Sequence, residues 1–322
     1  MKEYFSKAHK AYKAFKNKLG ELGIIKGASI AYKVVWNLFL IFITFGLMAA
    51  FFAFGVGAGY FASLVKDEQV ESYENMKERI YNYEVSSQVY FADNKLLGNL
   101  RSDLERKEIK VEDVSDYAKQ AIIATEDNYF YDHKGIVPKA LIRATFQELT
   151  NSSVQTGGST LTQQLVKNQI LTNEVSFERK AKEILLAMRL ERAIDKHDIL
   201  EAYLNIVSFG RNSSGQNIAG IEAAAQGIFG VSAKDLNLPQ AAFIAGLPQN
   251  PFSYTPFNND GTVKKSLEPG LKRMKTVLLR MYMEGLIDKK QYNEAIAYNV
   301  KANLAKPKPI PQKTYPYFHF EV

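Results

Sequence analysis

A long apolar stretch near the N-terminus dominates the hydrophobic pattern of the chain. No charged residue occurs between Val34 and Val65, and about 20 apolar residues are enough to cross the hydrocarbon core of a membrane. A cleaved secretory signal has a shorter apolar stretch, a shorter basic leader and a cleavage site of small residues. The pattern therefore predicts an uncleaved transmembrane signal anchor over residues 34–65.

The rest of the chain carries shorter hydrophobic patterns. Residues 66–112 are mixed and predict a connector, with one helix followed by strand-like pieces at Ser87–Phe91 and Lys95–Leu97. Residues 113–295 repeat apolar positions at helical spacing and predict a mainly helical domain. Residues 296–322 are rich in lysine and proline, which is typical of a semi-rigid spacer.

Two stretches rich in glycine and asparagine interrupt the helical pattern. Asn151–Gly158 and Gly210–Gly220 are predicted loops. Just before the second loop, the segment KHDILEAYLNIVSFG (Lys196–Gly210) has apolar residues at the spacing of a packed helix. These residues are Ile199, Tyr203 and Ile206, with Leu200 and Leu204 alongside. We expect this helix to serve mainly as scaffold.

The charges are unevenly distributed and predict the orientation of the anchor. The net charge is +7, and residues 1–33 hold eight lysines against two glutamates, whereas Asp67 and Glu68 follow the span. Basic residues flanking a span stay on the cytoplasmic side, which predicts a cytoplasmic tail over residues 1–33 and an extracellular domain. Aromatic residues among these lysines allow an amphipathic helix on the inner leaflet. The alternative is a solvated tail that only sets the orientation.

Composition and charge exclude several classes of function. The chain has no cysteine, so disulfides, thiolate metal sites and a cysteine nucleophile are excluded. Its four histidines show no metal-ligand spacing. Nucleic-acid binding does not fit, because most of the excess charge lies in the predicted cytoplasmic tail and no recognition motif is present.

The first candidate site segment is EDNYFYDHKG. A predicted helix over Ser115–Thr125 ends at Glu126 and Asp127. A carboxylate at a helix C-terminus faces the negative end of the helix dipole, which is unfavourable for structure but suits a residue that takes up a proton. The alternative is a pair of ordinary loop carboxylates. A histidine such as His133 more often has a packing or hydrogen-bonding role than a catalytic one.

The second segment is GGSTLTQQLVKN, Gly157–Asn168. Thr160 and Gln163 have the spacing of a capping box at the start of a helix. Glycines before the helix and Lys167 two turns into it make an anion site at its N-terminal amides reasonable. A helix that is simply well capped remains the alternative.

The third segment is RKAKEILLAMRLE, Arg179–Glu191. Glu183 lies on a partly apolar face, among Leu186, Ala187 and Leu190, with Arg179 four residues before it. A carboxylate in such surroundings needs a partner or a function. A structural pair between Glu183 and Arg179 is the alternative.

These three segments, followed by ILEAYLN and LPQAAFIAGLPQNP, occur in an order that resembles the glycosyltransferase family 51 domain of class A penicillin-binding proteins of the Gram-positive type. The resemblance implies a mainly α, lysozyme-like glycosyltransferase domain over residues 113–295. In this fold a head packs on a membrane-proximal jaw, which we place near Gly135–Val154. It also implies the reaction, in which lipid II is polymerised into β-1,4 glycan strands with inversion and undecaprenyl diphosphate leaves.

The resemblance assigns roles by motif. Glu126 resembles the general base that takes the proton from the acceptor hydroxyl, and Asp127 is expected to support it and to bind substrate. Glu183 resembles the second catalytic carboxylate, and it can hold a divalent cation, Mg²⁺ or Mn²⁺, through the diphosphate. No organic cofactor is expected. Other matching residues are predicted substrate contacts, with the cations neutralising the diphosphate: Ser159, Thr160, Gln163, Gln164, Lys167, Asn168, Arg179 and Lys180. His133 and Gly135 match with a structural role.

The same resemblance implies partners and location. Lipid II, the growing glycan strand and the bacterial plasma membrane are the expected partners, and proteins of a cell-wall synthesis complex can recruit the chain. The expected location is the cell membrane, as a single-pass type II protein. Class A proteins continue into a transpeptidase with SxxK and KTG motifs, and here only Ser63–Lys66 fits SxxK, at the membrane boundary. We therefore expect residues 296–322 to be a linker towards that domain.

Two other functions compete with polymerisation. One is hydrolysis or lytic cleavage of existing glycan, but a neutral glycan leaving group needs no cationic cluster such as Lys167, Arg179 and Lys180. The other is a membrane-tethered scaffold without turnover, against which the presence of both Glu126 and Glu183 counts. One departure from the family pattern is Ser208, which precedes Phe209 where an aromatic residue is usual.

Overall fold

The computed structural model describes residues 2–21, 24–68, 72–83, 88–90, 96–99, 104–149, 158–171, 174 and 176–306. The chain divides into two compact units, Met1–Lys66 and Asp67–Val322.

The first unit consists of two helices, α1 (Lys2–Glu21) and α2 (Ile24–Val65). Within α2, residues Ser29–Val65 are long and apolar enough to cross a membrane, and none of this stretch is buried inside the protein. The predicted basic tail is helical over α1, with Tyr12 and Phe15 exposed. Its contact with a lipid surface stays a prediction.

The second unit is mainly helical, which confirms the predicted fold class. Its helices are α3 (Tyr73–Tyr81), α4 (Asp116–Glu126), α5 (Pro138–Leu149), α6 (Leu161–Gln169), α7 (Phe177–Ala193), α8 (Lys196–Ile206), α9 (Ile221–Phe229), α10 (Leu238–Gly246), α11 (Pro251–Tyr254), α12 (Glu268–Met283) and α13 (Lys289–Ile296). Its strands are β1 (Gln88–Tyr90), β2 (Leu96–Asn99), β3 (Leu104–Arg106), β4 (Ser208–Arg211) and β5 (Asn217–Ala219).

A small sheet joins the residues of the predicted connector to the helical domain. Its strand order is β3-β5-β4, with β3 parallel and β4 antiparallel to β5. The predicted loop Gly210–Gly220 is therefore wrong in part, because it contains the end of β4 and all of β5. The Asn212 side chain accepts hydrogen bonds from the backbone N–H groups of Ser214 and Gln216. Because such polar residues are typical of turns, the sequence predicts a loop and not the two short strands on either side.

The helical core determines where the candidate segments lie. Helix α8 is buried along its predicted apolar positions, including Ile199, Tyr203 and Ile206. Helix α6 packs against α7 and α8, while α4 packs against α10 and α12. Buried residues of α4, α6, α7 and α8 belong to one hydrophobic cluster, so the candidate segments lie in one packed unit. Residues 150–157, which include the end of the predicted jaw and most of the predicted loop Asn151–Gly158, lie outside the described residues.

Candidate active site

Two neighbouring glutamines of α6 connect the two predicted catalytic carboxylates. Gln164 Nε2 donates to Glu126 Oε2 over 3.0 Å, and Gln163 Nε2 donates to Glu183 Oε1 over 3.2 Å. Glu126 ends α4 and Glu183 lies in the second turn of α7. The structure thus brings together the three segments that the sequence singled out.

Both carboxylate oxygens of Glu126 have partners within the protein, but the side chain remains partly exposed to solvent. Oε2 accepts from Gln164, and Oε1 lies 3.3 Å from Nη2 of Arg273 in α12. The Glu126 side chain is 14% exposed. A carboxylate oxygen has two lone pairs, so each Glu126 oxygen retains acceptor capacity for a proton or a hydroxyl group.

Asp127 connects the end of α4 to the start of α6. Its Oδ2 accepts from the backbone N–H of Leu161 over 2.9 Å and from His133 Nε2 over 2.8 Å, and its side chain is 3% exposed. A negative charge is favourable at a helix N-terminus. These contacts support the predicted assistance to Glu126 through positioning, while the predicted substrate contact of Asp127 stays a prediction.

The Asp127 carboxylate also fills the place where the sequence predicted an anion site. Three backbone N–H groups at the start of α6 have acceptors within the protein: that of Thr160 donates to Gln163 Oε1, that of Leu161 to Asp127, and that of Gln163 to Thr160 Oγ1. The predicted capping box is confirmed. These three amides therefore already have acceptors within the protein, and the predicted anion site at the start of α6 stays a prediction.

His133 and Gly135 stabilise the loop between α4 and α5. The backbone N–H of Gly135 donates to His133 Nδ1 over 3.1 Å, so Nδ1 is the acceptor and Nε2 carries the hydrogen that Asp127 accepts. Gly135 has a φ of 91°, and a Cβ here would lie 2.5 Å from the carbonyl oxygen of Ala187. Its own carbonyl accepts from Thr160 Oγ1. These contacts agree with the predicted structural role.

Glu183 is buried and surrounded by donors. Its side chain is 3% exposed, Arg179 Nη1 donates to Oε2 over 3.0 Å, and Lys180 forms an ion pair with Oε1. Lys180 also donates to Ser159 Oγ over 2.9 Å. The pair of Glu183 with Arg179, which the sequence offered as the structural alternative, is therefore present, and the carboxylate also contacts Lys180.

The remaining predicted contacts lie along α6. Lys167 and Asn168 are exposed, one helical turn beyond Gln163 and Gln164 respectively. Residues four apart share a helix face, so these four side chains form two adjacent rows that begin at the two carboxylates.

The donors at Glu183 do not fit a resident divalent ion. Such ions take several oxygen ligands, whereas Glu183 supplies a single carboxylate next to the positive charges of Arg179 and Lys180. One group of side chains able to hold a metal occurs among the described residues, at the start of α8, and it does not include Glu183: Asp195, His197 and Asp198. A divalent ion held at Glu183 through the diphosphate stays a prediction.

Three residues near Glu126 were missed by sequence reasoning. Arg273 contacts the carboxylate, Arg280 donates to the carbonyl oxygen of Thr125, and the Tyr203 hydroxyl donates to Gln164 Oε1 over 3.3 Å. Arg273 and Arg280 are seven residues apart in α12, which places them on one helix face. That spacing was the available signal for the two arginines. Tyr203 was predicted only as a packed residue.

Comparisons with known proteins identify relatives of this chain. A model of the transglycosylase family matches residues 93–282. Penicillin-binding protein 1A of Clostridium tetani is 39% identical over 225 residues, which is 69% of this chain and 28% of the relative. The protein of the same name from Pseudomonas aeruginosa is 39% identical over 220 residues, covering 68% and 25%. The chain thus spans little more than a quarter of the length of these relatives.

Among solved structures, the crystal structure of penicillin-binding protein 1A from Haemophilus influenzae matches with a TM-score of 0.38 and 25% identity. The match covers 70% of this chain and 22% of that one.

Proposed function

The chain belongs to the transglycosylase family, and from that premise we propose that it is a peptidoglycan glycosyltransferase that polymerises lipid II into β-1,4 glycan strands. Undecaprenyl diphosphate is the leaving group. The observation that carries the proposal is the hydrogen bonding of Glu126 and Glu183 to neighbouring glutamines of α6. Two cationic side chains, Arg179 and Lys180, also contact Glu183.

Glu126 acts on the acceptor. As the acceptor 4-hydroxyl oxygen attacks the anomeric carbon of the donor, its proton passes to the Glu126 carboxylate. The new bond joins that oxygen to the anomeric carbon, and the bond from this carbon to the diphosphate breaks on the opposite face. The configuration is therefore inverted, as expected when one carboxylate serves as base and no covalent sugar intermediate forms.

The surroundings of Glu183 suit the diphosphate. Arg179 and Lys180 bring two positive charges against one carboxylate, and Lys180 is the more exposed of the two. In addition, Arg179 Nε is buried and has no hydrogen-bond partner within the described part of the chain. Preorganised cations stabilise the negative charge that develops on a leaving diphosphate. A lytic enzyme would instead need an acid next to a neutral glycan oxygen.

The apolar helix α2 supports a membrane location. Both the donor and the released product carry a lipid, so an anchor would keep the enzyme in the same plane as its substrate. We propose a single-pass type II anchor with the domain outside, on the basis of the lysines that precede the span. Recruitment by proteins of a cell-wall synthesis complex is part of the same proposal.

The proposal is tested by incubating the 322-residue chain in detergent with fluorescent lipid II. We expect a ladder of glycan products that a muramidase degrades, together with release of undecaprenyl diphosphate. In a parallel reaction the substrate is preformed uncrosslinked glycan. Shortening of this glycan without use of lipid II would favour the lytic function, and no turnover of either substrate would favour the scaffold.

A further inference from the structure

Helix α12 brings Arg273 to the carboxylate of Glu126 from outside the five sequence segments. Nη2 of Arg273 lies 3.3 Å from Glu126 Oε1, and the two side chains are 11% and 14% exposed. Burial lowers the pKa of the Arg273 guanidinium, and the negative charge of Glu126 opposes that shift. Arginine remains protonated in proteins, so Arg273 can hold this carboxylate but cannot take its proton.

A second group holds the other oxygen of Glu126. Gln164 Nε2 donates to Oε2, and Gln164 Oε1 accepts from the hydroxyl of Tyr203. An amide whose oxygen is occupied by a hydroxyl donor must present its NH₂ group to the carboxylate. Tyr203 is fully buried, and burial together with the nearby Glu126 and Asp127 raises its pKa, which keeps the hydroxyl protonated. Tyr203 therefore sets the orientation of Gln164.

The backbone around α12 is arranged to admit the Arg273 side chain. A Cβ at Gly246 would lie 2.8 Å from Arg273 Cγ, so this glycine leaves the space that the arginine stem occupies. Two turns after Arg273, the same face of α12 presents Arg280, which donates to the carbonyl oxygen of Thr125. Helix α12 therefore contacts two successive residues at the end of α4.

We propose that Arg273 and Tyr203 are positioning residues of the glycosyl transfer. Arg273 acts directly on one oxygen of Glu126, and Tyr203 acts on the other through Gln164. Together they orient the carboxylate so that its remaining lone pairs can meet the acceptor hydroxyl. This inference rests on the proposed function, and it predicts that both residues determine the rate of transfer rather than the binding of lipid II.

The kinetic test compares initial rates of lipid II polymerisation for the 322-residue chain and for Arg273→Met and Arg273→Lys variants. Small misplacement of a catalytic group costs up to about 100-fold in rate. We expect Arg273→Met to lower kcat by about 10- to 100-fold while KM changes little, and Arg273→Lys to recover part of the loss. The exposed neighbour Lys272 provides the matched control, since Lys272→Met also removes one positive charge from α12. A rise in KM with unchanged kcat would overturn the proposal and indicate a substrate-binding arginine.

Two further variants leave every charged group in place. Gly246→Ala pushes against the Arg273 stem, and Tyr203→Phe removes only the hydroxyl group that orients Gln164. We expect both to lower kcat with little change in KM. Unchanged kcat in both variants would overturn the proposal. These variants also carry the test if Arg273→Met fails to fold.

A measurement without turnover separates this inference from the proposed function. The thermal midpoint Tm is compared for the wild type, Arg273→Met, Glu126→Gln and the double variant. If Arg273 holds the carboxylate, Arg273→Met lowers Tm less in the Glu126→Gln background than in the wild type. Additive shifts would overturn the positioning contact. If the Tm shifts are not additive but the wild type leaves lipid II untouched, the positioning contact stands and the proposed function alone is refuted.

Discussion

The Asp127 carboxylate offers a sharp test of the geometry, because two buried donors share one of its oxygens. In Asp127→Ala the backbone N–H of Leu161 and Nε2–H of His133 lose their acceptor. Leaving a buried donor unsatisfied costs about 1–3 kcal/mol. Two such donors predict a loss of about 2–5 kcal/mol in the free energy of unfolding.

The Asp127→Asn variant separates the shared acceptor from the charge. Both hydrogen bonds end at Oδ2, so the single amide oxygen of asparagine can take that place and accept both. The remaining loss in the free energy of unfolding comes from removing the negative charge at the start of α6 and is about 1 kcal/mol. We therefore expect a stability order in which Asp127→Asn lies closer to the wild type than to Asp127→Ala. Asp132→Ala, an exposed aspartate five residues away, should match the wild type.

The assay is thermal unfolding in detergent followed by circular dichroism, where the transmembrane helix contributes a constant background. A loss of 1 kcal/mol lowers Tm by about 2–4 °C in a domain of this size. Asp127→Ala should therefore lower Tm by roughly 4–20 °C. Equal losses for Asp127→Asn and Asp127→Ala would refute the shared acceptor, and no loss in either would refute both hydrogen bonds.

Three further outcomes follow from the site. Glu183→Gln should reduce stability by about 2 kcal/mol, because Arg179 and Lys180 lose their buried counter-charge, and should also slow transfer; a purely structural pair would change the Tm alone. Gly135→Ala should lower stability by about 2–4 kcal/mol, since the new Cβ meets the carbonyl of Ala187 at positive φ, as urea unfolding would show. Chelation by EDTA should slow polymerisation less than Arg179→Ala does, and an abolished activity restored by Mg²⁺ or Mn²⁺ would contradict side-chain neutralisation.

Local features of the site could be predicted from the sequence because neighbours along a helix determine them. The capping box of Thr160 and Gln163 needs a spacing of three residues, and the Arg179–Glu183 pair needs a spacing of four. The end of α4 at Glu126 followed from its apolar stripe in the same way.

The features that sequence reasoning missed depend on residues far apart in the chain. Arg273 reaches Glu126 across 147 positions, and Asp127 reaches the start of α6 across 34. A local pattern at the start of α6 does not reveal that the distant Asp127 carboxylate accepts from the backbone N–H of Leu161. The sequence predicts a loop where β5 and the end of β4 lie, because these strands are shorter than the window over which periodicity can be seen.

The central claim is that Glu126 is the base of a lipid II polymerase. The most direct test is a single-turnover measurement of lipid II coupling by the wild type, Glu126→Gln and the exposed control Glu268→Gln. The account predicts glycan formation by the wild type and by Glu268→Gln, and a rate lower by at least about 100-fold for Glu126→Gln, with both variants folded. Coupling by Glu126→Gln at the rate of the wild type would contradict it.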